Sequence, residues 1–245
     1  MASVAEHYDR LLGSIYSWMV GDVDGAMARN AEEFRALGIR PARSGIAVDL
    51  GAGIGLHAIP LAQLGFSVLA IDGCISLAEE LKRRAAPFDI RTITGDLLDF
   101  RNELDAEPEI ICCMGDTLTH LPDLDTVRSL FSNVALSMPS HGTFVTTFRD
   151  YAADTAVGLH RFIPVRSDAD RILTCFLEYA DDAVEVYDLL NRREGEHWKL
   201  EASSYRKLRI APAWVVDILT GLGFVVVHDK TANGMTRIVA RRTGA

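Results

Sequence analysis

Basic residues are in short supply in this 245-residue chain: 25 Lys and Arg stand against 34 Asp and Glu, a net charge of -9. That balance argues against a phosphate-backbone partner, a local basic patch aside. Cysteine is scarce as well. Cys74, Cys112, Cys113 and Cys175 show no C-x-x-C spacing, and the adjacent Cys112 and Cys113 fall in an apolar run. They read as small buried hydrophobes rather than as metal ligands or disulfides. No apolar run approaches the length of a membrane span. The start, Met1 to Arg10, is mixed polar and carries no leader pattern, so a cytoplasmic protein with no membrane partner is expected. The seven histidines are scattered and form no cluster with Asp or Glu at metal-ligand spacing, so no metal is expected. What is plentiful is apolar: hydrophobic residues are 49% and charged residues 24%. That suits one α/β domain with a sizeable core, or one domain with a small insertion.

The chain is organised around Ile46-Ala47-Val48-Asp49-Leu50-Gly51-Ala52-Gly53-Ile54-Gly55-Leu56-His57. An apolar run ends in an acid, three glycines follow at alternating positions, and Leu56 to Gln63 reads as a helix. This is a buried strand, a tight turn and a helix start, the first unit of a doubly wound sheet. A dinucleotide fingerprint would place its third glycine at position 56, where Leu56 stands, and no Gly-Lys-Ser/Thr follows to make a P-loop. Asp49 would face a pyrophosphate with like charge and suits a ligand with a cationic end. The pattern Asp-x-Gly-x-Gly-x-Gly resembles motif I of the class I S-adenosylmethionine (SAM)-dependent methyltransferases, whose cofactor carries an ammonium and a sulfonium.

The rest of the chain extends that resemblance. A second strand, Ser67 to Ile71, ends at Asp72-Gly73, about 20 residues past the glycines, where a carboxylate can accept both ribose hydroxyls. A helix from about Ile75 to Ala85 follows, then a third strand, Ile90 to Thr94, and Gly95-Asp96-Leu97. In the methyltransferase pattern an acid here reaches the adenine amino group; a turn or helix cap is the plainer reading of Asp96. The fourth strand, Glu109 to Met114, leads into Gly115-Asp116-Thr117-Leu118-Thr119-His120-Leu121. That loop is similar to the segment after strand four of glycine/sarcosine-type N-methyltransferases, with Asp116-Thr117 in place of the usual polar pair. After a helix over 123–137 and a fifth strand, Gly142 to Phe148, residues 155–209 change to four short strands separated by turn signals. A helix from Pro212 to Leu222 and two strands, Phe224 to His228 and Met235 to Ala240, close the chain.

The expected architecture is therefore α/β: a doubly wound, seven-stranded, mostly parallel sheet of order 3-2-1-4-5-7-6 with the last strand antiparallel, helices on both faces, and a small antiparallel insertion after strand five. The whole chain, 1–245, reads as one methyltransferase domain. Residues 1–40 form an N-terminal helical cap, with a helix from Asp22 or Asp24 to about Leu37, and 155–209 form the insertion, a substrate lid or dimer contact. The resemblance implies SAM as cofactor and S-adenosylhomocysteine (SAH) as product. It implies Asp49, Gly51, Ala52, Gly53 and Gly55 at the methionine end, Asp72 and Gly73 at the ribose, Asp96 and Leu97 at the adenine, and Met114 and Gly115 beside the cofactor.

Methyl transfer is an in-line displacement at a carbon on sulfonium, and the protein mainly aligns donor and acceptor and excludes water. His120, a helical turn past the fourth strand, is the candidate base, beside Arg149 and Tyr205 as further catalytic candidates. Asp116 could orient an amine. Arg149, Arg161, Tyr151 and Tyr205 could clamp an anionic group on a small-molecule substrate, and Tyr16 and Trp18 could close over it. Solvated strand faces and ordinary ion pairs explain any single arginine equally well. The acceptor is expected to be methylated at N or O, by a monomer or homodimer. Two rivals stand beside this reading: an NAD-dependent oxidoreductase, and a SAM-binding module without catalysis. Nucleic-acid methylation is opposed by the absence of an Asn-Pro-Pro-Tyr-type segment.

Overall fold

The computed structural model describes residues 4–153 and 155–244; the expected cap and domain bounds reach over residues 1–3, 154 and 245, which lie outside them. The described residues open with a helical segment of changing pitch. It runs from α1 (Val4–His7) through a π turn (Tyr8–Leu12) and a 3-10 turn (Gly13–Ile15) to α2 (Tyr16–Val20). Gly21, at φ 83°, ends it. Asp22 then caps α3 (Val23–Ala36), its carboxylate accepting from the Gly25 amide at 2.9 Å, a contact worth about 1 kcal/mol. Gly38 follows with φ 73°, past the helix end where glycine costs nothing.

The Rossmann-like part alternates β1 (Ile46–Leu50), α4 (Ala58–Gln63), β2 (Ser67–Asp72), α5 (Ile75–Ala85), β3 (Ile90–Thr94), β4 (Ile110–Cys113), α6 (Leu124–Ser137) and β5 (Thr143–Arg149). Asp123 caps α6. β6 (Phe162–Ser167), β7 (Arg171–Tyr179), β8 (Ala183–Glu194) and β9 (His197–Leu208) form the insertion. α7 (Pro212–Gly221), β10 (Phe224–Ala232) and β11 (Met235–Arg242) finish the chain. The main sheet has the order β10-β11-β5-β4-β1-β2-β3. Its strands are parallel except that β11 is antiparallel to both β5 and β10. This is the expected order, with β11 and β10 as the seventh and sixth strands.

β1 is buried along nearly its whole length because both sheet faces are covered, which is why it reads as one apolar run. One face packs Leu50, Phe131, Phe144 and Leu219 under α6 and α7. The other packs Phe34, Ile59, Leu61 and Leu81 under α3, α4 and α5. The carboxyl ends of β1, β2, β3 and β4 finish together at one edge, where ligands bind in open α/β sheets. The insertion is a separate sheet of order β6-β7-β8-β9. Alternation sends Leu173, Leu177, Val186, Leu190 and Tyr205 to its inner face. There Leu173 and Leu190 meet Leu11, Leu12 and Ile15 of the N-terminal segment. Ile172, Trp198 and Leu200 on the opposite face are exposed. Among the described residues no helix is long and apolar enough to cross a membrane.

Candidate active site

A cleft of about 560 Å³ runs along the carboxyl edge of the sheet. The glycine turn forms one end. Gly51 sits at φ 74°, and a Cβ there would clash with the Thr117 side chain, so the turn presses on the loop after β4. Gly53, at φ 53°, has among the described residues only the Tyr16 ring edge, at 4.0 Å, near its absent Cβ, so here the backbone is open to a ligand. Gly55 differs: its Cβ would clash with Leu81, and it does not line the cleft. Its bareness lets the turn pack on α5, so the cofactor role expected for it is replaced by a packing one.

Asp72 stands at the tip of β2 with its carboxylate fixed by two amides. Gly53 N–H donates to Oδ2 at 2.7 Å and Cys74 N–H to Oδ1 at 2.8 Å. Burial raises its pKa, and the two amides pull it back down. Each oxygen keeps a lone pair for a hydroxyl. Asp96, Leu97, Met114 and Gly115 also line the cleft. Asp96 is at the same time a cap: its Oδ1 accepts from Leu98 N–H at 2.9 Å at the start of the 3-10 turn Leu97–Glu103.

Asp49 lies beneath the turn rather than on the cleft surface. It is 1% exposed, and among the described residues neither carboxylate oxygen has a hydrogen-bond partner of good geometry. Burial pushes its pKa up to about 7, opposed by the Ala58 amide at the start of α4 and assisted by the charge of Asp72. With a pKa near 7, the buried group is charged only part of the time in the ligand-free protein, and a cation held across the turn would favour its carboxylate form.

The other end of the cleft is walled by Tyr8 and Tyr16 of the N-terminal segment and by His120. The Tyr8 ring lies 6.2 Å from Tyr16 and 5.7 Å from His120. His120 Nε2 is buried without a hydrogen-bond partner among the described residues. Burial, then the charge of Lys207, push its pKa down to about 3, with Asp116 acting the other way, so the ring is neutral at pH 7. His57 also lines the cleft, and burial pushes it down to about 4.

Several expected substrate residues are elsewhere. Trp18 does not line the cleft. Its indole N–H donates to Asp168 at 2.5 Å and Arg171 lies over its ring at 4.5 Å, which fastens α2 to the insertion. Asp116 is saturated inside the protein and cannot orient an amine. Its Oδ1 accepts from the Arg149 amide at 2.8 Å and from Thr119 Oγ1 at 3.0 Å, and Oδ2 accepts from Lys207 Nζ. Arg149 contributes that backbone amide, while its side chain is exposed and outside the cleft wall. Arg161 stacks on Phe176 at 4.9 Å within the insertion. Tyr151 and Tyr205 are buried together, one layer behind the wall. Tyr205 meets the His120 ring edge-on at 5.5 Å and stacks on His7 at 4.2 Å, so it supports the wall rather than forming it. The reason is common to all: strand alternation and the sequence distance between insertion and sheet do not reveal which face meets the cleft.

Sequence reasoning gave Lys207 no role, named Thr117 only as part of its loop, and held His7 and Tyr8 only within the N-terminal cap. His7 is fully buried, with Nε2 2.9 Å from Asp188 and Nδ1 2.8 Å from Ser203. For His7 and Tyr8 the sequence signal is the run of rings His7, Tyr8, Tyr16 and Trp18; Lys207 carries none.

Residues 47–138 match the family described as a methyltransferase domain. With the strand order, this gives the chain the fold of the class I SAM-dependent methyltransferases. Among curated proteins it is similar to a glycine/sarcosine N-methyltransferase of Aphanothece halophytica, 24% identical over 106 residues, 42% of this chain and 40% of that one. The match thus spans about two fifths of the curated relative's length. Among solved structures it is similar to the CcbJ methyltransferase of Streptomyces caelestis, with TM-score 0.77 and 17% identity over 97% of this chain and 98% of that one. It is also similar to SAM-bound CalS10, an amino pentose methyltransferase of Micromonospora echinaspora. The TM-score is 0.75, at 16% identity over 94% of this chain and 96% of that one.

Proposed function

We propose that this protein is a SAM-dependent methyltransferase acting at N or O of a small-molecule acceptor. The observation that carries the reading is one continuous cleft. Its glycine-turn end has an open backbone at Gly53, a fixed carboxylate at Asp72 and an unpaired one at Asp49. Its other end has Tyr8, Tyr16 and His120. The residues present fit the cofactor. Asp72 would hold the ribose hydroxyls, Asp96 and Leu97 the adenine, and the backbone of Gly51 to Gly53, with the field of Asp49 behind it, the methionine end. When bound, the cofactor supplies an electrophilic methyl group on sulfonium.

The chain's own residues do the rest. Tyr8 and Tyr16 close the cleft over the reacting centre and exclude water. In its Nδ1–H tautomer, His120 can accept a hydrogen bond from the acceptor's N–H or O–H at Nε2. That bond strengthens as positive charge develops on the attacking atom, so it favours the transition state over the ground state. An imidazole with so low a pKa holds and aims the acceptor more than it carries away a proton. The carboxylate-poor acceptor end suits a neutral amine or a hydroxyl. The name of the curated relative, a glycine/sarcosine N-methyltransferase, supports nitrogen.

The test is isothermal titration of the cofactor-stripped protein with SAH, with NADH in parallel. Saturable SAH binding without NADH binding is expected. NADH binding alone would overturn the reading in favour of an oxidoreductase.

A further inference from the structure

We propose that the buried Lys207–Asp116 ion pair is a positioning pair for His120: it clamps the turn that carries this imidazole and sets the charge its ring meets. The proposal rests on the reading of His120 as the acceptor-side group.

The geometry begins with Asp116, which adopts φ 80° immediately before the 3-10 turn Thr117–His120. Its amide donates to Thr147 O at 3.1 Å, from β5. One carboxylate oxygen takes the Arg149 amide and the Thr119 hydroxyl, and the other takes Lys207 Nζ from β9. The Thr119 hydroxyl also lies 2.8 Å from Asp116 O. One side chain therefore joins the end of β5, the His120 turn and the last strand of the insertion. Lys207 is 7% exposed and lies over the rings of Tyr205, at 5.5 Å, and Tyr151, at 5.9 Å. Neither Lys207 nor Asp116 lines the cleft, so neither is placed to touch a substrate.

Stability is a poor reason for such a pair, since a buried ion pair commonly adds little over apolar residues of the same volume. Its effect on His120 is specific. The groups that face this ring are Tyr8 and His7 from the N-terminal segment, Tyr205 and Lys207 from β9, and Asp116 from its own loop. With the pair intact, opposite charges oppose each other at the imidazole and burial keeps it neutral. Without Lys207, a buried carboxylate stands alone beside it and favours the imidazolium. A protonated His120 has no lone pair to offer at Nε2.

The experiment uses the full-length, ligand-free protein labelled with ¹³C at histidine Cε1, with His120→Asn assigning the resonance. In the wild type, His120 stays at the neutral-imidazole shift between about pH 4.5 and 9, because its pKa is near 3. In Lys207→Met its apparent pKa rises by about two to three units and enters that window; Lys207→Arg returns it to the wild-type behaviour. A folded Lys207→Met protein whose His120 titrates as the wild type does overturns the proposal. If that variant does not fold, Asp116→Asn carries the test through hydrogen exchange. Amides over 117–120 should exchange at least tenfold faster with β1 and β4 unchanged, and unaltered exchange there overturns it equally. Failure of the wild type to bind SAH would sink the cofactor reading without altering either result, which separates the two failures.

Discussion

His7 donates from Nε2 to Asp188 at 2.9 Å, joining the first helical turn of the chain to the middle of the insertion. Both side chains are buried, and Asp188 also accepts from the Cys175 thiol at 2.6 Å. The contact makes the N-terminal segment and the insertion one wall on the cleft. Removing Asp188 leaves the buried His7 Nε2 and the half-buried Cys175 thiol without that acceptor. Asp188→Ala should lose about 2 to 3 kcal/mol of stability, from the donors left without an acceptor. Limited proteolysis should then cut within residues 4–20 before the main sheet. Uniform loss of stability with no early cleavage would show that the two elements do not depend on this contact.

Among the cofactor groups, Asp72 offers the most direct test. Its carboxylate holds the glycine turn through Gly53 and is placed to accept from a ribose. Asp72→Ala should weaken SAH binding by about 100-fold, near 2.7 kcal/mol, while circular dichroism remains that of the folded protein. Unchanged affinity in titration would remove Asp72 from the site.

The glycines of the turn should separate. Gly51→Ala puts a methyl group against Thr117 at a φ of 74°, so it should destabilise the fold by about 2 kcal/mol or more, read from the urea midpoint. Gly53→Ala meets no atom of the described residues nearer than 4.0 Å. Its cost to the fold should be about 1 kcal/mol, from backbone strain alone. The larger loss should fall on SAH affinity, because the added methyl group points into the cleft. Equal effects of the two substitutions on stability and binding would contradict this division.

Asp49 should impose a pH dependence on the ligand-free protein. Its pKa is raised by burial to about 7 in the fold, above the ordinary carboxylate value it has unfolded. The folded state therefore binds the extra proton, and this group's contribution to stability falls as pH rises from about 4 to about 7. Asp49→Asn removes that slope. The urea midpoint of the variant relative to the wild type should rise between pH 5 and pH 8. A constant difference across that range would mean that Asp49 titrates normally.

Most of the sheet is legible in the sequence. Ile75–Ala85, Ile90–Thr94 and Arg171–Tyr179 fall at the expected bounds because amphipathic period and flanking Gly, Pro or Asp are local signals. The Asp72, Gly53 and Met114 side of the cleft is legible too. In a doubly wound sheet, chain order alone brings strand ends to one edge. The acceptor side is legible only at His120 and Tyr16. Arg149, Arg161, Tyr151 and Tyr205 are reasonable by residue type, yet each has its side chain turned to solvent, to the insertion, or to the layer behind the wall.

By itself, then, the sequence determined the order of elements, the strand that is buried on both faces, and the glycine turn with its strand-tip acids. These are all consequences of hydrophobic period and backbone stereochemistry within a few residues. Only the tertiary structure decided which side chains meet across the cleft. His7 and Asp188 are 181 positions apart, and Asp116 and Lys207 are 91 apart. Their pairing depends on how the insertion's sheet lies against the N-terminal segment and the loop after β4. Packing of two separate surfaces sets that arrangement, and no local pattern encodes it.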